Sequence, residues 1–271
     1  MKPKVSLINS TPYPIETMCW TRRVMHSPVP DTLQELMENP EKWLGEGMTI
    51  ERYFEEVLLH DGMPTFLEYI NLTFKLENVS RALQQQLTRH RIGFSYSIQS
   101  LRCINLPNFA EEEQYYNPYK KDTEQYNSYH AKMLNIQKDY RELLELNFPT
   151  QDARGILPMN IFSTITFSCS LRALIGMINK RLCFKTQGEF RQVASLIIKE
   201  ILEKLDKRLI VYFGPPCKFG KCMMEAENEE QYKKGMLTAN QNTNMVCPIY
   251  IEKFKESKKN DEIDFMRGDD R

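Results

Sequence analysis

Residues 86–102 read QLTRHRIGFSYSIQSLR and carry three arginines, one histidine, two glutamines and three serines. The planar guanidinium group of arginine matches the oxygens of phosphate and carboxylate groups. On composition alone, such charges are more often explained by an exposed helix surface. Apolar residues interrupt and flank the polar ones here, however, which favours a pocket that binds an anion.

The composition indicates an ordinary globular protein of 271 residues, one large domain or one domain with appendages. Lysine plus arginine equals aspartate plus glutamate at 36 each, so no global field attracts nucleic acid or a membrane surface. The apolar runs are too short to cross a bilayer and the first residues contain no signal-peptide core, so we expect a cytoplasmic protein. Seven scattered cysteines fit reduced thiols better than a disulfide framework.

Two kinds of periodicity predict a mixed fold. Apolar residues alternate with polar ones over residues 70–77 and 164–169, which predicts strands, and residues 5–8 form a short apolar strand. Helical spacing predicts helices over residues 15–24, 32–37, 50–59, 79–87, 129–143 and 186–205, with another starting at Ser170. We expect Asp31 and Asn78 to cap two of them, and Thr186 with Glu189 to form a capping box.

The chain divides by composition. Residues 1–213 contain all the periodic segments and predict one domain, interrupted by a polar excursion at about residues 105–127. We expect this excursion to be mobile, as a lid or an insertion would be. Residues 214–271 lose periodicity and become strongly polar, which predicts an irregular tail.

The order of residues in the opening stretch resembles the signature of the flavin-dependent thymidylate synthases. That signature is Arg-His-Arg, a short spacer, and Ser-x-Arg; here residues 89–91 read RHR and residues 100–102 read SLR. The spacer is one residue longer than in the best-known bacterial members. Residues 152–158 (DARGILP) and 172–191 resemble two further blocks of the family, and the resemblance covers most of residues 5–213. It implies an α+β fold with an antiparallel sheet packed against helices.

The resemblance also implies site residues, carried over by motif position. Those expected to hold deoxyuridylate (dUMP) are Gln86, Arg89, Gln99, Ser100, Leu101, Arg102, Arg154 and Arg181, with Arg181 and Ser100 nearest the reacting ring. Those expected to face FAD are Thr65, Arg89, His90, Arg91, Ser97, Ser170, Arg172 and Gly176.

The family's chemistry follows from the same resemblance. Enzymes of this family transfer a one-carbon unit from methylene-tetrahydrofolate to C5 of dUMP and form dTMP, while NADPH reduces the flavin. Cations directed at the pyrimidine ring stabilise negative charge on it, so a covalent thiolate is not needed. The resemblance implies a homotetramer whose sites are shared between subunits.

Four positions depart from the family pattern. Met63 and Lys185 stand where the family usually has histidine, Cys103 where it has tyrosine, and Gly176 where it has asparagine. The nucleotide side of the motif is intact, whereas the flavin and folate side is altered. Two alternatives to dTMP synthesis therefore stay open: a pyrimidine-nucleotide hydroxymethylase on the same fold, and a nucleotide-binding protein without catalysis.

The cysteines do not indicate a metal site. Cys217, Cys222 and Cys247 lack a nearby histidine that would complete a tetrahedral set, so we expect no metal. Cys103 follows Arg102, which could lower its pKa and make a nucleophile, but a partly buried structural thiol is the more frequent case.

Overall fold

A four-stranded antiparallel sheet lies at the centre of the protein. The computed structural model describes residues 1–26, 28–220, 222, 230 and 247. The strands stand in the order β1-β2-β4-β3, and each neighbouring pair is antiparallel. The mixed helical and antiparallel fold expected from the sequence is confirmed. The strands are Lys4–Ser10 (β1), Asn71–Ser80 (β2), Phe94–Ile98 (β3) and Phe162–Ser170 (β4).

Helices make up most of the connections between these strands. Short 3-10 turns lie at Leu58–His60, Thr65–Tyr69, Arg154–Ile156 and Lys207–Tyr212. The α-helices are Pro14–Arg23 (α1), Leu33–Glu38 (α2), Pro40–Leu44 (α3), Ile50–Glu56 (α4), Arg81–Leu87 (α5), Glu124–Glu145 (α6), Thr150–Ala153 (α7), Leu171–Arg181 (α8), Gly188–Lys204 (α9) and Pro216–Phe219 (α10). No helix in the described part of the chain is long and apolar enough to span a membrane.

The main core lies on one face of the sheet. Leu72, Phe74 and Leu76 of β2 alternate with polar residues and are buried. The same alternation buries Ile165, Phe167 and Cys169 of β4, and α9 packs its apolar stripe, including the fully buried Phe190, into the same core. Burial of such side chains stabilises the fold by roughly 1.5–3 kcal/mol each. The alternation of apolar and polar residues that predicted these two strands therefore matches the alternation of buried and less buried side chains in the structure.

A second core corrects the expectation of a mobile excursion at residues 105–127. Phe109 and Tyr115 are buried and pack with Met133 of α6 and with Ile161. The backbone of Tyr115 forms an isolated antiparallel bridge with Ile161. The segment is polar overall, so its composition did not reveal that a few aromatic residues pack it into a core.

Two predicted helix caps are wrong by one or two residues. The side chain of Thr32, rather than Asp31, accepts a hydrogen bond from the Glu35 amide and begins α2. Ser80, rather than Asn78, caps α5 by accepting from the Leu83 amide at 3.0 Å. Aspartate, asparagine, serine and threonine all favour N-cap positions, so the residue type alone could not distinguish these neighbours.

The predicted capping box at the start of α9 is also wrong. Gln187 is the N-cap residue and makes no side-chain cap. The Glu189 carboxylate is fully buried and accepts hydrogen bonds from both the backbone amide and the hydroxyl of Ser80. Glu189 therefore joins α9 to the junction of β2 and α5, a long-range contact that local spacing could not reveal.

The predicted irregular tail lies largely outside the described residues. Its first part contains the short helix α10, which the composition did not predict. Of the cysteines in this tail, Cys217 lies in α10, whereas Cys222 and Cys247 are described only as single positions.

Candidate functional site

The signature stretch leaves α5, turns through a loop and enters β3. Phe94, Tyr96 and Ile98 face the core while Ser95 and Ser97 are exposed, so a strand that the sequence analysis missed lies inside the motif. Gly93 has a φ of +75°, and a β-carbon built on it would lie 2.8 Å from the β-carbon of Ala173. The loop thus rests directly on the first turn of α8.

Arg181, at the end of α8, meets the signature histidine. Its Nε and Nη2 lie 3.1 and 2.9 Å from the Nε2 of His90, and Nη2 is 3.5 Å from the carbonyl of Gln86. The guanidinium carbon also lies 4.7 Å from the ring centroid of Phe190, a cation–π contact. Gln86 donates its amide to the side chain of Gln187. These contacts hold Gln86 and Arg181, which were both predicted to bind the nucleotide, in one half-buried cluster.

The electrostatics of this cluster favour a neutral histidine. Burial, and then the positive charges of Arg181 and Lys180, lower the pKa of His90 to about 4. Because arginine only donates, the Nε2 of His90 must accept, which puts the ring proton on Nδ1. Burial, followed by the nearby charge of Arg89, also lowers the pKa of Arg181. A guanidinium in such surroundings acts more strongly on a nearby anion than one in water.

A second group surrounds the start of α8. Ser170 caps this helix, as the sequence predicted, and donates its hydroxyl to Glu68 at 3.0 Å. Glu68 also pairs with Arg172 at 3.4 Å, and both side chains are about half exposed. Thr65 begins the 3-10 turn that contains Glu68. Ser97 and Gly176 are exposed, the latter on α8.

A third group lies beyond the end of β3. Ser100, Arg102 and Cys103 line a cavity of about 420 Å³ together with Pro149, Thr150 and Gln151. Arg154 donates its Nε to the carbonyl of Gln151 at 3.1 Å, so it supports the far wall of this cavity. Residues 149–151 were not predicted to belong to the site, because a Pro-Thr-Gln segment at the start of a short helix carries no signal of its own.

Two predicted nucleotide residues have clear structural contacts. Leu101 is buried in the second core. Gln99 pairs with Thr164 by both its backbone amide and its side-chain carbonyl, at 3.0 and 3.1 Å, and so extends the ladder of β3 and β4. They hold the Ser100–Arg102 segment in place.

Three signature arginines are available for ligands. Arg89, Arg91 and Arg102 are exposed, and no carboxylate within residues 1–26 and 28–220 forms an ion pair with them. The contacts of the described chain do not join the Arg181 cluster to the Ser100 cavity. In that part of the chain, no group of three or more histidine, cysteine, aspartate or glutamate side chains is arranged to hold a metal ion.

Comparison with protein families identifies one match over most of the chain. Residues 6–205 match the family model described as "Thymidylate synthase complementing protein". The flavin-dependent thymidylate synthase of Pyrococcus furiosus is 32% identical over 227 residues, which is 81% of this chain and 88% of that protein. The enzyme of the same name from Clostridium tetani is 31% identical over 82% of this chain and 91% of its own length.

Solved structures share the fold. Thymidylate synthase X from Helicobacter pylori, crystallised with FAD and dUMP, superposes with a TM-score of 0.58 at 18% identity, covering 76% of this chain and 96% of that one. The UMP/dUMP methylase PolB from Streptomyces cacaoi, bound to 5-Br dUMP, also gives 0.58 at 18% identity, over 79% and 96%. The family match and the sequence identities together show that this chain belongs to the flavin-dependent thymidylate synthase family.

Proposed function

We propose that this chain converts dUMP to dTMP, with FAD as cofactor and with methylene-tetrahydrofolate and NADPH as co-substrates. One observation carries the proposal beyond family membership. The half-buried Arg181 guanidinium is aligned by a neutral His90 beside Gln86, and all three occupy motif positions. This arrangement suits stabilisation of negative charge on a bound ring.

The overall reaction replaces the hydrogen on C5 of dUMP with a methyl group. Methylene-tetrahydrofolate supplies the carbon and leaves as tetrahydrofolate, and NADPH supplies a hydride and leaves as NADP⁺. The C5 hydrogen departs as a proton, and an equivalent proton together with one further proton from the medium protonates the two folate nitrogens that release the methylene carbon. Bound FAD supplies the hydride-transfer chemistry between the nicotinamide and the carbon.

Arg181 would act on the pyrimidine. C5 becomes nucleophilic as negative charge builds on the ring, so a guanidinium at the ring edge lowers the barrier. His90 would keep that guanidinium in place, because its Nε2 accepts from both Nε and Nη2. Ser100 would donate a hydrogen bond close to the reacting carbon from the rim of its cavity.

The remaining predicted residues would bind the anionic parts of the ligands. Arg89 and Arg102 are exposed, and no carboxylate within residues 1–26 and 28–220 forms an ion pair with them. Arg154 is fixed against Gln151 at the side of the Ser100 cavity. Their placement supports a role in holding the phosphate and sugar of dUMP.

The residues around α8 carry guanidinium and hydroxyl groups, which are hydrogen-bond donors of the kind that FAD requires. Arg91 is exposed without a carboxylate partner in the described chain, and the loop that carries it rests on α8 next to Arg172. A dinucleotide needs such guanidinium and hydroxyl donors for its pyrophosphate and flavin oxygens. The residues that would hold FAD are Thr65, Arg89, His90, Arg91, Ser97, Ser170, Arg172 and Gly176.

We also propose that the site is completed by assembly. In one chain, the cluster around Arg181 and the cavity around Ser100 are built by different elements, and no described contact joins them. A homotetramer with sites shared between subunits would bring them together. Residues 1–213 would form the catalytic domain, and the matched segment 6–205 supports this boundary.

Mass spectrometry of the nucleotide tests the proposal. The purified protein is incubated with dUMP, methylene-tetrahydrofolate, FAD and NADPH, and the product is compared with dTMP. A methyl gain supports the proposal. A hydroxymethyl gain would instead support the alternative suggested by Met63 and Cys103, and an unchanged nucleotide in the presence of bound FAD would contradict both.

A further inference from the structure

A cavity outside the predicted site lies where three separate parts of the chain meet. Its volume is about 390 Å³, a size that accommodates a small molecule. The residues before β1, the segment between β3 and α6, and helix α9 all contribute to its walls, among them Lys2, Tyr116, Lys121 and Gln192. None of the residues predicted to bind dUMP or FAD lines this cavity.

Tyrosines make one side of the cavity aromatic. Tyr115 and Tyr126 line it, and both stack on the ring of His130, with centroids 6.2 and 6.3 Å apart. Tyr116 also lines the cavity but contacts no other aromatic ring in the described part of the chain. Its ring therefore has a face available to stack on a planar ligand.

The backbone holds Tyr116 in a fixed position. Its amide donates to the carbonyl of Asn160 at 2.8 Å, and its carbonyl accepts from the Nδ2 of Asn160 at 3.1 Å. Burial raises the pKa of the Tyr116 hydroxyl, which forms no hydrogen bond with any described residue. A ring that is already in place loses little conformational freedom when a ligand stacks on it.

The charges around the cavity favour an anionic ligand over a cationic one. Among the described lining residues, Glu113 has the one carboxylate, and Lys121 already pairs with it at 3.3 Å. The hydroxyl of Tyr126 donates to the same carboxylate at 3.0 Å. Lys2 forms no ion pair within the described chain, so its positive charge is left over. A cation would meet an engaged carboxylate, whereas an anion would meet two ammonium groups.

Gln192 provides hydrogen-bonding groups on the α9 wall. It is exposed, and its side chain has no hydrogen-bond partner among the described residues. An amide side chain offers both an acceptor and donors, and this pair matches N7 and the N6 amino group of adenine. A purine also presents more ring surface to Tyr116 than a pyrimidine does, which strengthens stacking.

We infer that this cavity is a second ligand site and that it takes an adenosine phosphate. The base stacks on Tyr116 with its edge towards Gln192, and the phosphate lies near Lys2 and Lys121. Two molecules supply this chemistry, a free adenine nucleotide and the adenosine half of NADPH, and the second source rests on the proposed function. Gln192 lies five residues beyond Gln187, about 7.5 Å along α9, so the cavity is near the Arg181 cluster.

Equilibrium dialysis of the FAD-loaded protein in excess dUMP tests the site, because both predicted ligands are then present. With AMP as the probe, we expect about one molecule bound per chain. Adenosine, which lacks the phosphate, should bind about tenfold more weakly. Tyr116→Ala should weaken AMP binding about tenfold or more, whereas Tyr116→Phe, which keeps the ring, should stay within about threefold of the parent.

Two lysine variants provide a matched comparison. Lys121→Gln removes a cation and leaves Glu113 to repel the phosphate, so AMP binding should weaken about fivefold to tenfold while adenosine binding changes less than about twofold. Lys120→Gln removes the adjacent exposed lysine, which does not line the cavity, and should leave both affinities unchanged. Absence of AMP binding would overturn the inference, as would AMP binding that neither Tyr116→Ala nor Lys121→Gln weakens.

The kinetics of flavin reduction distinguish the two sources. If the cavity holds the adenosine half of NADPH, Tyr116→Ala should raise the KM for NADPH about tenfold at an unchanged saturated rate, and AMP should compete with NADPH. If it holds a free nucleotide, the KM should stay the same and AMP should not compete. A protein that binds AMP through Tyr116 but forms no dTMP would reject the proposed function and leave this site supported.

Discussion

At the scale of single residues, the surroundings of Arg181, rather than its residue type, suit it to stabilise negative charge on a ligand. Arginine is always protonated in proteins, and on a surface its charge is screened by water. Here one face lies on Phe190 and two nitrogens are aligned by His90, so little reorganisation is needed when charge develops on a ligand.

Replacement of this arginine should abolish most of the activity without unfolding the protein. For Arg181→Ala we expect the rate of dTMP formation to fall about a hundredfold to a thousandfold, which is the effect of losing a preorganised charge stabiliser. Lys180→Ala, which removes the exposed neighbouring charge, serves as the control and should stay within about threefold of the parent. Far-UV circular dichroism checks the fold, and unchanged turnover of Arg181→Ala would reject its assigned role.

The depressed pKa of His90 makes a pH-dependent contribution to stability. The pKa is about 4 in the folded protein and about 6.5 in an unfolded chain. Between these values the unfolded chain binds more protons, so stability rises with pH. The contribution is complete above about pH 6.5 and is lost as the pH falls towards about 4.

Urea unfolding of the parent and His90→Gln at about pH 7 and about pH 4.5 measures this effect. We expect the parent to lose about 1–2 kcal/mol more than the variant between the two values, a discounted figure because part of the ring is accessible to water. Glutamine keeps a hydrogen-bond acceptor but does not titrate. Identical pH dependences would show that His90 is not neutralised by its surroundings.

At the scale of elements, the sequence was informative wherever burial is regular. The alternation in β2 and β4 predicted both strands, because one face of each is on the core. Strand β3 was not predicted, although Phe94, Tyr96 and Ile98 alternate with serines. The reason is that the same stretch also forms a polar motif, which was interpreted as a binding site. The cap of α2 was misplaced by one residue within a local Thr32–Glu35 pair. At α5 and α9 the long-range bond between Ser80 and Glu189 decides the arrangement.

The loop between α5 and β3 depends on Gly93. Alanine there would have to adopt a left-handed backbone at a cost of about 1–2 kcal/mol, and its β-carbon would overlap that of Ala173. We expect Gly93→Ala to destabilise the protein by about 2 kcal/mol or more in urea unfolding, and to weaken FAD binding.

A double-mutant cycle checks the cause. Ala173→Gly removes the overlapping carbon, so the double variant should be more stable than the sum of the single effects by about 0.5 kcal/mol or more. Gly176→Ala is the control, since a β-carbon there meets nothing within 4 Å. In a helix it should stabilise by up to about 1 kcal/mol. Strict additivity at positions 93 and 173 would contradict the proposed contact.

At the scale of the whole molecule, the motif indicated which side chains matter but not how they group. Arg181 and His90 are 91 positions apart, and their contact depends on the packing of α8 beside the loop after α5. The sequence also gave no sign that Arg81 would carry a buried nitrogen without a hydrogen-bond partner in the described residues, since tertiary packing decides this.

The grouping of these side chains leads to a prediction about assembly. Arg181→Ala and Arg102→Ala should each be inactive, because each removes a cation from one part of the site. If every site takes Arg181 from one subunit and Arg102 from another, random mixed oligomers contain intact sites in about a quarter of positions. Co-expression of the two variants should then restore activity to about that fraction of the parent value.

A site built within one chain would behave differently. Every site in the mixed oligomer would then carry one of the two substitutions, and co-expression would restore nothing. Light scattering of the parent protein gives the independent measurement, with a tetramer expected. Arg181→Ala co-expressed with Arg181→Lys is the matched control, because these variants alter the same position and cannot form an intact site together. Activity restored by the first pair and not by the control pair would place the two arginines on different subunits of one site.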